Sequence, residues 1–324
     1  MFRFLMCLFV SFCLLTFSAL RSGQEIPALI STFPGPVNAI LFLSDDDRIL
    51  VGVQDEVHLL GRDGKILRSC TLPIRQVTSI EVLSDGQTVY VAGGDPGLEG
   101  KIFAINLKSM EVEKEFDLHH DVVSSLAISP DGKRIVAASI EQNVGVLDLA
   151  TEKSFQLSGH SKAVTGVDWI DDQLAVSVAE DMSVRVWDVN DQSLVRTMNQ
   201  HVGPVLGVRL LDGAESPRPV IATWGKDRTV RFWQPTIGRM MRFAVLEGIP
   251  LTVCWNSGKR ELIVGDSTGS VRWIDWQTGK VLRAEKLSDD WIVALDIEKK
   301  SGQILAGTSS GELLRIVDSD PKTP

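Results

Sequence analysis

The stretch Val164-Thr165-Gly166-Val167, followed by Ser177, Asp181 and then Ser183-Val184-Arg185-Val186-Trp187-Asp188, decides the reading of the chain. Its first four residues follow the order aliphatic, any, small, aliphatic. The same order recurs as Val37-Asn38-Ala39-Ile40, Val77-Thr78-Ser79-Ile80, Val123-Ser124-Ser125-Leu126, Val205-Leu206-Gly207-Val208 and Ile292-Val293-Ala294-Leu295. Pro250-Leu251-Thr252-Val253 is a weaker copy. The last positions of successive copies step by 40, 46, 41, 41, 45 and 42 residues. Self-similarity at a fixed period marks a repeat architecture.

Each copy continues in the same way. A polar turn such as Ser129-Pro130-Asp131-Gly132-Lys133 leads to a β-rich run such as Thr88-Val89-Tyr90-Val91-Ala92. A second turn leads to an alternating run such as Thr229-Val230-Arg231-Phe232-Trp233, and a third to a short fourth run such as Val281-Leu282-Arg283. Short β-rich runs separated by Gly, Asp and Pro read as strands, four to each repeat. No stretch outside the N-terminus has helical periodicity. The expected fold is therefore all-β, a seven-bladed β-propeller of four-stranded antiparallel blades. The small residue of the pattern falls where the innermost strands converge on the axis. Copy seven ends after three strands. Ala28-Leu29-Ile30-Ser31-Thr32-Phe33, which precedes copy one, supplies the missing outer strand and closes the ring, so no bare edge is left.

The chain has 324 residues, 44% of them hydrophobic and 23% charged, a balance that excludes disorder. Its net charge is -9, which argues against a nucleic-acid partner, because phosphate backbones demand clustered Lys and Arg. Residues 1–20 place Arg3 before an apolar run from Phe4 to Leu20, the layout of a secretory signal peptide. A retained membrane anchor is the alternative. The expected organisation is a signal peptide at 1–20 and a single propeller domain at 24–320, located outside the cytoplasm, periplasmic or secreted. Without the signal, Cys70 and Cys254 remain, far apart in sequence and read as buried small side chains.

Copies four and five resemble the WD-repeat propeller family. Copy four holds His160, Ser177, Asp181 and Trp187-Asp188; copy five holds His201, Thr223, Asp227 and Trp233, with Gln234 where the family prefers Asp. The resemblance implies a structural hydrogen-bond set in each blade, with His and a hydroxyl pairing a buried Asp and the Trp ring N–H joining the chain. The other copies are degenerate. Copy three offers His119 or His120 but Ala137, Glu141 and Leu147, and copies one and two lack the His.

No catalytic motif accompanies this pattern. No nucleophile elbow, phosphate loop or haem-attachment site occurs. Asp45-Asp46-Asp47 reads as a solvated turn, and the adjacent His119 and His120 point apart in extended chain. No metal, cofactor or catalytic residue is expected. Ile274-Asp275-Trp276-Gln277-Thr278-Gly279-Lys280 also resembles the repeat of quinone-dependent propeller dehydrogenases, but Arg283 and Ala284 stand where such a repeat ends in Trp. The expected function is an exported, non-enzymatic, monomeric scaffold for proteins or peptides. The alternatives are a ligand- or cofactor-binding propeller enzyme and an envelope-protein assembly factor. The expected docking face carries the turns between outer and inner strands and between second and third strands. Its candidate contacts are Asp95, Glu99, Lys162, Glu180, Lys226 and Asp266. The opposite face carries an insertion in copy five, Asp212 to Pro219.

Overall fold

The computed structural model describes residues 28–43, 48–214 and 216–316. The predicted signal peptide and the Asp45–Asp47 turn lie outside the described residues. The described chain forms seven four-stranded antiparallel sheets, each running outward in sequence order as strands a, b, c and d. The a strands are Val37–Phe42, Gln76–Val82, Val123–Ile128, Val164–Trp169, Val205–Leu210, Pro250–Asn256 and Ile292–Ile297. They pack side by side around a central channel. A short 3₁₀ turn at Pro235–Ile237 is the one helical element among the described residues.

The N-terminal strand closes the ring. Ala28–Thr32 pairs antiparallel with Glu312–Ile316, setting Ala28 opposite Arg315 and Thr32 opposite Glu312. The seventh blade is thus built from both ends of the described chain. Strands a to c supply the interior and d the rim. In blade one, Ile49–Val53 is buried throughout, whereas Ile66–Thr71 is exposed apart from Cys70. The apolar clusters bridge neighbouring blades: Val176 and Val178 of blade four pack with Val205, Val208 and Trp233 of blade five. Each sheet is too small to bury a core alone, so the interfaces between sheets become the core.

The second residue of the four-residue pattern has a role that its chemical variety conceals. In all seven blades the a–b register slips by one residue at this position, as between Val37 and Ala39 or Val164 and Gly166. A slipped residue is released from the ladder and its side chain can turn elsewhere. In four consecutive blades it reaches the next blade. Asn38 donates to Val77 O at 3.1 Å, Thr78 to Val123 O at 2.5 Å, Ser124 to Val164 O at 2.7 Å and Thr165 to Val205 O at 2.7 Å. Leu206 occupies the position in blade five, and there Trp224 Nε1 donates to Leu251 O at 3.2 Å. The small third residue also has a visible cause. A Cβ on Gly207 would stand 2.2 Å from the Trp224 ring, and one on Gly166 3.0 Å from Gly207 Cα.

Candidate functional site

The turns that join d to a and b to c lie together at one end of the ring, and the two hydrogen-bonded sets brace this end. In blade four, His160 enters from the d–a loop, Ser177 from strand b, Asp181 from the b–c turn and Trp187 from strand c. His160 Nδ1 lies 3.0 Å from Asp181 Oδ2, His160 Nε2 lies 2.7 Å from Ser177 Oγ, and Trp187 Nε1 lies 2.8 Å from the same oxygen. In blade five, His201 Nδ1 to Asp227, His201 Nε2 to Thr223 Oγ1 and Trp233 Nε1 to Thr223 Oγ1 are each 2.8 Å.

The proton positions follow from donor capacity. An ionised carboxylate only accepts, so Nδ1 carries the imidazole proton. The unprotonated Nε2 then accepts from the hydroxyl, whose oxygen accepts from the indole. Burial pushes both histidines below the ordinary imidazole value, against the pull of Asp181 and Asp227, so the neutral ring this chain requires is the favoured one. Burial would raise Asp181, but hydrogen bonds from the Ser183 hydroxyl, the Ser161 amide and His160 hold its carboxyl down at about 2. The sets hold d–a loops against b–c turns and thereby fix the face.

Blade three builds half of the same device. His119, not His120, is the buried ring, with Nδ1 2.6 Å from Glu141 Oε1, while the His120 amide donates to Glu141 Oε2 at 3.0 Å. Ala137 and Leu147 provide neither hydroxyl nor indole, and His119 Nε2 is buried with no hydrogen-bond partner. Blade six replaces the histidine set with an ion pair: Arg272 Nε lies 2.7 Å from Asp266 Oδ2, and Arg272 Nη2 lies 3.0 Å from Glu247.

That pair corrects one expected contact. Asp266 is fully buried at 0% exposure and is not a surface residue of the face. In sheet register it opposes Pro250 at the end of strand b, where Ala179 opposes Val164 in blade four. It therefore sits two positions before the place of Asp181 and turns inward to Arg272. The other candidates lie at the surface. Glu180 and Lys226 meet across the boundary between blades four and five at 3.4 Å. Lys162 is exposed on the loop after His160. Asp95 and Glu99 face each other at the end of a hairpin longer than its neighbours, formed by Thr88–Asp95 and Glu99–Asn106. Lys101 Nζ anchors that hairpin, 3.0 Å from Glu99 and 2.6 Å from Glu115.

The charge-based reading missed the apolar residues. Leu98 (75% exposed), Val202 (79%) and Trp291 (55%) stand out from turns of this face, with Ile140 and Met182 at 38% each. Among the described residues, Ile237 is the one large apolar side chain comparably exposed in a turn of the opposite end. Met182 has φ 68°, a left-handed conformation that costs a side-chain-bearing residue about 1 kcal/mol or more. A lone apolar residue within a polar turn gives no periodic signal, so the sequence pattern could not single it out.

Among the described residues no group of His, Cys, Asp and Glu has the arrangement of a metal site. A closed ring of seven blades, braced by two His–hydroxyl–Trp chains, defines the WD-repeat class of propeller. Comparison with known proteins agrees. The family described as WD domain, G-beta repeat, matches residues 110–147 and 151–188, which include strands a to c of blades three and four. The chain is 25% identical to the apoptotic protease-activating factor 1 of Danio rerio over 64% of its own length and 16% of that protein's. It is 27% identical to the anaphase-promoting complex subunit cdc20 of Dictyostelium discoideum over 52% of its length and 35% of that protein's. It is 25% identical to the methylosome protein WDR77 of Xenopus laevis over 45% of its length and 44% of that protein's. Each match thus spans less than half of the relative. Two WD repeats match within residues 110–188, and the chain is similar to WD-repeat β-propeller proteins.

Proposed function

We propose that this protein is an exported, non-enzymatic platform that docks one or more proteins or peptides on the face formed by the d–a and b–c turns. The observation that carries the reading is the uneven placement of exposed apolar turn residues. Leu98, Ile140, Met182, Val202 and Trp291 lie on that face, against Ile237 on the other. Apolar anchors within a polar rim are what protein interfaces use for affinity. Lys162, Glu180 and Lys226 supply the charged surround, and the hydrogen-bonded sets keep the loops rigid. Two relatives carry names that denote membership of assemblies, the anaphase-promoting complex and the methylosome. The layout of Arg3 and the apolar run that follows supports export.

Affinity capture from native extract tests the docking face. A variant carrying Leu98→Ser, Val202→Ser and Trp291→Ser loses the captured partners while its melting temperature stays within a few degrees of the parent. Unchanged capture would assign binding to another surface. Export is tested separately by fusing alkaline phosphatase to the C-terminus of the full chain: extracytoplasmic activity that disappears when residues 1–20 are deleted supports it, and cytoplasmic fusion protein contradicts it.

A further inference from the structure

The channel residue that follows the four-residue pattern forms one level of the propeller, one side chain per blade. Three blades place a carboxylate there, Glu81, Asp168 and Asp296, and one a guanidinium, Arg209; the remaining three are uncharged. All four charged residues line a cavity of about 310 Å³ at the end of the channel that carries the a–b turns. A second cavity of about 230 Å³, lined by hydroxyls including Ser79, Ser125 and Thr252, lies toward the docking face. Glu81 and Arg209 border both.

Blades two and five stand across the ring from each other, so the contact between Arg209 Nη1 and Glu81 Oε1 at 3.8 Å spans the channel. Neither side chain is walled in: Arg209 is 51% exposed and Glu81 29%. The other two carboxylates are fixed from the backbone. Asp168 accepts from the amides of Leu210 at 2.7 Å and Trp169 at 2.8 Å, and Asp296 accepts from the amide of Phe42 at 2.7 Å. Glu81 sits at the end of a longer, freer side chain.

We propose that the Glu81–Arg209 pair is a proton-operated latch across the central channel. With Glu81 ionised, the guanidinium is held across the axis and divides the two cavities. With Glu81 protonated, Arg209 swings to Asp168 in the neighbouring blade and the cavities join. The driving force is charge imbalance: three carboxylates share one guanidinium at a level the protein surrounds, and like charges there disfavour full ionisation. The charged groups facing Glu81 are Arg209, Asp168 and Asp296, and Asp212 and Lys299 line the same cavity. Glu81 is exposed only to the narrow channel, and the loss of bulk water there, reinforced by Asp168 and Asp296 and opposed by Arg209, pushes it up to about 7. Burial likewise lifts Asp296 to about 6 and raises Asp168, in each case against the opposing pull of backbone amide donors.

The test is nitrogen NMR of the Arg209 side chain in the full chain. Hydrogen exchange at Arg209 Nε is compared between the parent and Glu81→Gln, one pH unit above and one below the midpoint of about 7. The ratio at each pH cancels the intrinsic base catalysis of exchange. Above the midpoint the parent exchanges roughly tenfold more slowly than the variant, and below it the two agree, because one pH unit changes the protonated fraction by about that factor. A ratio that is the same at both pH values overturns the latch. The carboxyl titration of Glu81 in the parent gives a reading that needs no variant. A midpoint near neutrality that moves the Leu210 amide with it supports the latch, and a midpoint in the ordinary carboxylate range overturns it.

Discussion

Replacing Ser177 by Ala removes one oxygen and orphans two buried groups. Ser177 is 0% exposed, and its hydroxyl joins His160 Nε2 at 2.7 Å to Trp187 Nε1 at 2.8 Å. A buried polar group left without a partner costs about 1–3 kcal/mol. Two such groups, partly relieved by local adjustment, cost about 3 kcal/mol together. For a chain of this size that corresponds to a fall in melting temperature of roughly 6 °C. Urea unfolding followed by circular dichroism is the assay, with Ser154→Ala on an exposed outer strand as control. The slope of the unfolding transition stays unchanged while its midpoint falls. A loss below about 0.5 kcal/mol, no more than an ordinary surface change, refutes the claim that the hydroxyl is the hub of the set.

Ala137→Ser supplies blade three with the missing hydroxyl for the orphaned His119 Nε2, and raises stability by about 1 kcal/mol in the same urea assay. Arg272→Met strands the fully buried carboxylate of Asp266 and costs about 3–5 kcal/mol. Lys226→Met breaks only the exposed pair with Glu180 and costs under about 1 kcal/mol, so chemical unfolding of the two variants separates structural from surface charge. Burial depresses His160 and His201, so the unfolded chain takes up their protons first. Their contribution is complete above the ordinary value of 6.5 and is lost as pH falls below it toward the folded values. Proton NMR of the two rings places both midpoints under 6.5, and a midpoint above it contradicts the neutral-ring chain.

The blade count was legible because one four-residue pattern recurs wherever an inner strand meets its neighbours. The steric need there, as between Gly166 and the Trp224-covered Gly207, restricts the residue type. The histidine sets were legible for the same reason, since four residue types must stand at set distances to satisfy one another. The slipped position was not legible. Asn38, Thr78, Ser124 and Thr165 vary in type because any side chain that donates to the next blade's carbonyl will serve. Asp266 was misread because a carboxylate at the end of a strand, next to a turn, looks alike whether it faces water or a buried guanidinium, and Arg272 lies six residues along in another strand. The exposed Leu98, Val202 and Trp291 carry no pattern at all; only the assembled face brings them to one end of the ring.

Hydrogen–deuterium exchange of the protein with and without its captured partner tests the central claim most directly. Bound partner slows exchange in the turns at Leu98, Met182, Val202 and Trp291 and leaves the a–b and c–d turns unchanged. Protection confined to the Asp212–Pro219 loop and its neighbours at the opposite end would contradict the assignment of the docking face.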